Sequence, residues 1–150
     1  MKRFSVLAGL GFGAAFALSA CGSSSETLKL VGHSGPNPPY VVDIPPKGGA
    51  NRPPSPGDQF GIADKLTRAG KPYGTNAGSC TSVTRTTADC RVTFDLPNGQ
   101  VAVQGTADFS QKKATVAIVG GTGKYKNARG FVEVTTNQST TTPQTFHITY

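Results

Sequence analysis

Two alternating runs meet at a turn in the middle of this chain, and together they exclude most folds. In residues 91–96, Val92, Phe94 and Leu96 share one face while Arg91, Thr93 and Asp95 share the other. Residues 100–109 repeat the pattern, with Val101, Val103, Ala107 and Phe109 on one side. Pro97-Asn98-Gly99 stands between them, and Asn-Gly accepts the positive φ that tight hairpins demand. A period of two belongs to strands, because successive side chains point to opposite faces.

The same grammar continues in both directions. Strand-like runs occupy residues 27–33, 40–44, 58–67, 73–84, 114–119, 130–138 and 143–150. Eight or nine strands at such spacing indicate an all-β sandwich or barrel. Short hairpins favour an up-and-down meander, and closing it removes the exposed edges. Residues 114–119 are apolar on both faces, which predicts a strand covered on each side. The stretch 34–56 holds eight of the eleven prolines, so neither a continuous helix nor a central strand runs through it. It is expected as a loop, with a short edge strand at residues 40–44 carrying Asp43.

The N-terminus carries an address. Met1-Lys2-Arg3 is a positive head, residues 4–20 are apolar, and Leu18-Ser19-Ala20-Cys21 follows. This is the outline of a secretory signal peptide. Its end resembles the lipobox of bacterial lipoproteins, which implies a lipid on Cys21 and cleavage before it. The expected organisation is a signal peptide at 1–20, a lipidated tether at 21–26 and one domain at 27–150. The expected location is the bacterial cell envelope, outside the cytoplasm and tied to a membrane through Cys21. Two or more acyl chains anchor stably where one does not.

The formal charge is +7, and loss of Lys2 and Arg3 leaves 13 basic residues against 8 acidic, about +5. The basic residues are scattered, without the arginine-rich or aromatic-spaced runs of nucleic-acid binders. No nucleic-acid partner is expected. Cys80 and Cys90 flank an expected turn at residues 84–87, and in the exported chain that the N-terminus predicts oxidation is favoured. A cross-strand disulfide is the leading expectation, and a free Cys80 thiol lining a pocket is the alternative.

A second turn is richer in glycine. Gly120-Gly121-Thr122-Gly123-Lys124-Tyr125 and Ala128-Arg129-Gly130 lie between two strand-like runs. Glycine suits positive φ and close backbone approach, so Gly120, Gly121, Gly123 and Gly130 are read as a structural corner. A phosphate loop is excluded by spacing, since Ile118 stands where a glycine is needed and Tyr125 where Ser or Thr is needed. Lys124, with Lys126 and Arg129, offers either an attraction for a carboxylate ligand or a plain solvated rim. His33 and His147 lack the partners a metal site needs. No metal and no cofactor are expected. Asp43, Asp58, Asp64 and Glu133 are the candidate pocket carboxylates, and Asp58 is equally suited to capping a turn.

Several motifs occur in order: Gly57-Asp58, Lys65-Leu66, Gly74-Thr75, Ala77-Gly78-Ser79-Cys80, Val103-Gln104-Gly105 and Ala117-Ile118-Val119-Gly120-Gly121-Thr122-Gly123. Together they resemble the allene oxide cyclase barrel family and its dirigent relatives. The resemblance implies an eight-stranded antiparallel β-barrel, often a homotrimer, whose cavity takes a hydrophobic small molecule. It places Cys80 near the ligand and makes Asp43 and Arg129 counterparts of the dirigent polar groups, whereas Lys124 stands where dirigent proteins can carry an acidic residue. In a cyclase or isomerase Glu133 would join Asp43 and Arg129 as a polar handle. Three functions follow as expectations: a lipid-anchored binder of a hydrophobic molecule, a cyclase or isomerase acting on a reactive polyene or fatty-acid-derived substrate, or a structural surface barrel.

Overall fold

Alternation along each strand decides what the sheet buries. The structure is a computed structural model that describes residues 24–44, 53–136 and 140–150. The signal segment, Cys21 and most of the proline-rich loop beyond Ile44 lie outside the described residues. The strands are β1 (Ser25–Ser34), β2 (Val41–Val42), β3 (Gln59–Arg68), β4 (Lys71–Ser82) and β5 (Thr87–Leu96). They continue with β6 (Gly99–Asp108), β7 (Lys113–Gly121), β8 (Arg129–Thr135) and β9 (Thr141–Thr149). A single 3-10 turn, Gly123–Tyr125, joins β7 to β8.

Neighbours from β3 to β9 pair antiparallel in sequence order, β9 pairs with β1, and β1 returns to β3. Eight strands thus close into the all-β barrel that the sequence predicts, and β2 is an additional edge piece. Strand β1 begins at Ser25, two residues before the predicted start, so Glu26 belongs to the barrel wall and not to a tether.

Closure is uneven. Strand β1 matches β9 from Ser25↔Thr149 to His33↔Thr141. It meets β3 only through Val31↔Thr67, Gly32↔Leu66, His33↔Lys65 and Ser34↔Asp64. Beyond Ser34 the chain turns away, and Val41 and Val42 take over the edge of β3 at Phe60 and Gln59. This seam is pinned on both faces. Ser34 Oγ donates to Asp64 Oδ1 at 2.6 Å inside, and the His33 ring meets Thr67 Oγ1 at 3.0 Å outside.

The interior is graded along its axis. One half is filled by large side chains, among them Leu28, Leu30, Leu66, Phe146 and Tyr125. Phe94 and Phe146 meet edge to face at 4.8 Å across it, a favoured aromatic geometry. The other half is lined by Ala88, Ala107, Ala114 and the Cys80–Cys90 pair. Small residues there leave space that the large ones close elsewhere.

The glycine corner seals the filled end. Lys124 N–H donates to the Asn98 carbonyl at 2.8 Å, and Thr122 N–H to that of Gln100 at 2.9 Å. The β5–β6 hairpin is thereby docked onto the 3-10 turn, and Tyr125 is fully buried beneath it. Gly130 has φ of +120°, and a Cβ there would strike the His147 carbonyl of β9. Gly121 and Gly123 are likewise crowded by neighbouring backbone, whereas a Cβ at Gly120 would meet nothing. Gly120 is therefore not required by the corner. A second departure concerns β7: Ala114, Val116 and Ile118 point inward, but Thr115, Ala117 and Val119 are exposed. No described part of this chain covers the outer face.

Gly130→Ala is expected to lose about 1–3 kcal/mol through a strained φ and a backbone clash, while Gly120→Ala stays within about 0.5 kcal/mol of the parent. Denaturant unfolding of the two variants side by side measures both.

Candidate functional site

The half of the barrel lined by small residues contains a cavity of about 390 Å³, within the range of sites that hold small molecules. Its walls come mostly from inward positions of β3, β5, β6 and β7, such as Phe60, Ile62, Val92, Val103 and Val116. The chain at Gly35–Pro38 borders it where β1 leaves the seam. Phe60 and Phe109 stand edge to face at 6.0 Å beside the opening.

Three buried polar side chains face this apolar space: Asp64, Asn76 and Gln144. They come from β3, β4 and β9. Asp64 falls in phase with Phe60, Ile62 and Leu66, so alternation turns it inward. Asn76 Nδ2 donates to Asp64 Oδ2 at 2.9 Å, and Asp64 N–H donates to Asn76 Oδ1 at 2.9 Å. With Ser34 on the other oxygen, the carboxylate has a fixed orientation. Such charge-assisted contacts offset the cost of removing a carboxylate from water. A Cβ on Gly32 would stand 3.0 Å from Asp64 Oδ2 and 3.1 Å from Gln144 Nε2. The missing side chain is what makes room for both groups.

Cys80 and Cys90 are directly paired across β4 and β5 and form a disulfide with a Cα–Cα distance of 4.1 Å. This settles the alternatives left open by the sequence: Cys80 is not a free thiol. The bridge lies inside the barrel, and Cys90 borders the cavity.

The other expected handles do not line the cavity. Asp43 follows β2 on the outer edge of the sheet. Arg129 and Glu133 occupy outward positions of β8, because Val132 and Val134 take the inward ones. Arg129 donates to the Ala128 carbonyl at 2.8 Å, and Glu133 lies 3.7 Å from the ring of His147. Asp58 accepts from the backbone of Ile44 at 2.9 Å and of Ser55 at 2.7 Å, which is a loop-tying role.

Lys124 sits at the sealed end, away from the cavity. Its Nζ donates to Glu26 Oε2 at 2.6 Å, and the Tyr150 hydroxyl donates to the same oxygen at 2.8 Å. The Lys124 contact, joined by Tyr150, holds the Glu26 carboxyl below its ordinary value despite partial burial. The same contact raises Lys124. Burial, then the contact with Glu26, pushes the Tyr150 hydroxyl up to about 12. The cluster sits at the barrel floor, and none of its three residues borders the cavity.

Sequence reasoning missed Ser34, Asn76 and Gln144. Only phase carried the signal: Gln144 alternates with Phe146 and Ile148, and Asn76 with Cys80.

The family model described as the allene oxide cyclase barrel like domain matches residues 43–148. The chain belongs to this family. No curated protein sequence matches it. Among solved structures, a pyocyanin demethylase superposes with a TM-score of 0.64 at 23% identity, over 82% of this chain and 99% of that one. A pterocarpan synthase dirigent protein gives 0.67 at 21% identity, over 85% and 84%. An exo-specific intermolecular Diels-Alderase gives 0.61 at 14% identity, over 86% and 99%. At such identities these likenesses establish the fold of this family member, and its cavity must be read from its own residues.

The floor cluster sets the pH response. Glu26 is depressed in the folded state, so its contribution is complete above its ordinary value of 4.5 and is lost as pH falls through the folded one. Tyr150 is raised, so its contribution is complete below its ordinary 10.0 and is lost as pH climbs toward about 12. Lys124, raised from 10.5, loses its share as pH climbs through its folded value. Melting temperature measured from acid to alkaline pH should therefore fall at both ends, and Glu26→Gln should flatten the acid limb and reduce the alkaline one, where burial still holds Tyr150 up.

Proposed function

We propose that this barrel binds a small hydrophobic molecule outside the cytoplasm, as a lipoprotein of the bacterial envelope anchored through Cys21. The observation that carries the reading is the cavity of about 390 Å³ with predominantly apolar walls. A barrel filled solid would favour a purely structural role. Membership of the allene oxide cyclase barrel like family supports a small-molecule role. So do fold neighbours named as a demethylase, a pterocarpan synthase and a Diels-Alderase.

The placement of β1 gives the anchor a consequence. Ser25 begins the strand at the sealed end, and Ser34 ends it at the cavity. Ten extended residues span roughly 30 Å. A lipid on Cys21 therefore holds the floor nearest the bilayer and directs the mouth away from it. A ligand then arrives from the aqueous side. Outward Val119 and Phe131, both exposed, support assembly into the homotrimer that the resemblance implies.

A second reading is enzymatic, and Asp64 favours it. An ionisable group inside an apolar cavity is the minimum equipment of a cyclase or isomerase that moves a proton while excluding water. In that reading Asp64 is the proton-transfer group, Asn76 and Ser34 orient it, and the walls enforce substrate conformation.

Native mass spectrometry of the full chain extracted from its own cells tests the first reading. A co-purifying molecule below a few hundred daltons is expected, and Ala107→Phe should abolish it while leaving the circular dichroism unchanged. Retention of the molecule by that variant would place it outside the barrel. Cys21→Ser should move the protein from the membrane fraction to the soluble one. For the enzymatic reading, Asp64→Asn should retain the bound molecule and stop its conversion.

A further inference from the structure

Gln144 is 4% exposed, borders the cavity and has an Oε1 with no hydrogen-bond partner among the described residues. A buried acceptor left unsatisfied costs on the order of 1–3 kcal/mol, so its state invites a donor. Its Nε2 lies on the Gly32 side, where it shares with Asp64 Oδ2 the space that a Cβ would fill, and Oε1 is the amide atom left unpaired.

The remaining polar groups at this place repeat the same polarity. The Asp64 oxygens already accept from Ser34 and Asn76, and each keeps a further lone pair. Asn76 has both its oxygen and its nitrogen engaged with Asp64. Asp64 is the one ionisable side chain among the described residues that border the cavity. His33 and Lys65 do not border the cavity; they line an adjoining groove at the seam that shares Ser34, Gly35, Ala63, Asp64 and Asn76 with it.

We infer that the cavity selects uncharged or cationic molecules presenting an N–H or O–H donor to Gln144 Oε1 and Asp64, and that it rejects carboxylates. This rests on the binding role proposed above and narrows it. A fatty-acid anion would bring a negative charge to a buried carboxylate with no described cation in the walls to compensate. An apolar molecule without a donor would leave Gln144 Oε1 unsatisfied.

Equilibrium dialysis of the full chain against three probes of one size tests the inference. 2-Naphthol carries a donor, 2-methoxynaphthalene lacks it and 2-naphthoate is an anion. The expected order is 2-naphthol tightest by about tenfold over the ether, equivalent to about 1.4 kcal/mol, and naphthoate weakest. Gln144→Leu should bring 2-naphthol to the level of the ether, and Asp64→Asn should raise naphthoate. Equal binding of the naphthol and the ether by the parent chain, or naphthoate binding as tightly as naphthol, overturns the inference while the binding role stands. These comparisons need no variant to fold. Failure of all three probes to bind overturns both.

Discussion

Four residue pairs decide whether this chain is a closed barrel or an open sheet. Val31 to Ser34 on β1 meet Asp64 to Thr67 on β3, joining elements about thirty residues apart. Every other contact around the circuit is a hairpin or a neighbouring strand, except the long pairing of β1 with β9. Closure joins the ends of the meander and leaves only short stretches of free edge, which blunts pairing with other chains. The seam is short because β3 shares its edge between β1 and β2, and the cavity lies where the chain leaves it.

The polar site and the seam are therefore one piece of construction. Ser34 is both the last paired residue of β1 and the donor to Asp64. Gly32, one inward position earlier, keeps clear the space that Asp64 and Gln144 occupy. A carboxylate so placed is expensive to bury alone. One of its two side-chain donors, Ser34, belongs to the seam that holds the barrel shut, so opening the seam and loosening the carboxylate are linked. The opposite end solves its own problem separately, with Tyr125 filling the axis and Glu26, Lys124 and Tyr150 sharing a half-exposed ion pair.

Much of this architecture is legible in the sequence because hairpins are local. Asn98-Gly99, the glycine corner and the alternation of Val92, Phe94 and Leu96 each specify structure within a few residues. The paired cysteines follow from the same logic, as they flank a turn. What alternation cannot reveal is which strands meet across the seam, since that pairing joins distant segments. The cavity was obscured for the same reason, and the proposed handles went astray. Arg129 and Glu133 are polar and near a corner, but β8 turns its valines inward. Lys124 is open in the sequence to both a ligand role and a solvated rim, and in the fold it pairs with Glu26, which lies in β1 and not in a tether. Asp64 was visible only as one carboxylate among four, although its phase with Ile62 and Leu66 carried the answer.

Ala107 and Ala114 both border the cavity, and neither makes a polar contact described above. Part of the bore of the chamber is consequently set by single methyl groups. Adding or removing a carbon at one of them changes its capacity while the floor, the turns and the seam are left alone. A lineage carrying this barrel can thus alter what it accommodates without revisiting how it folds.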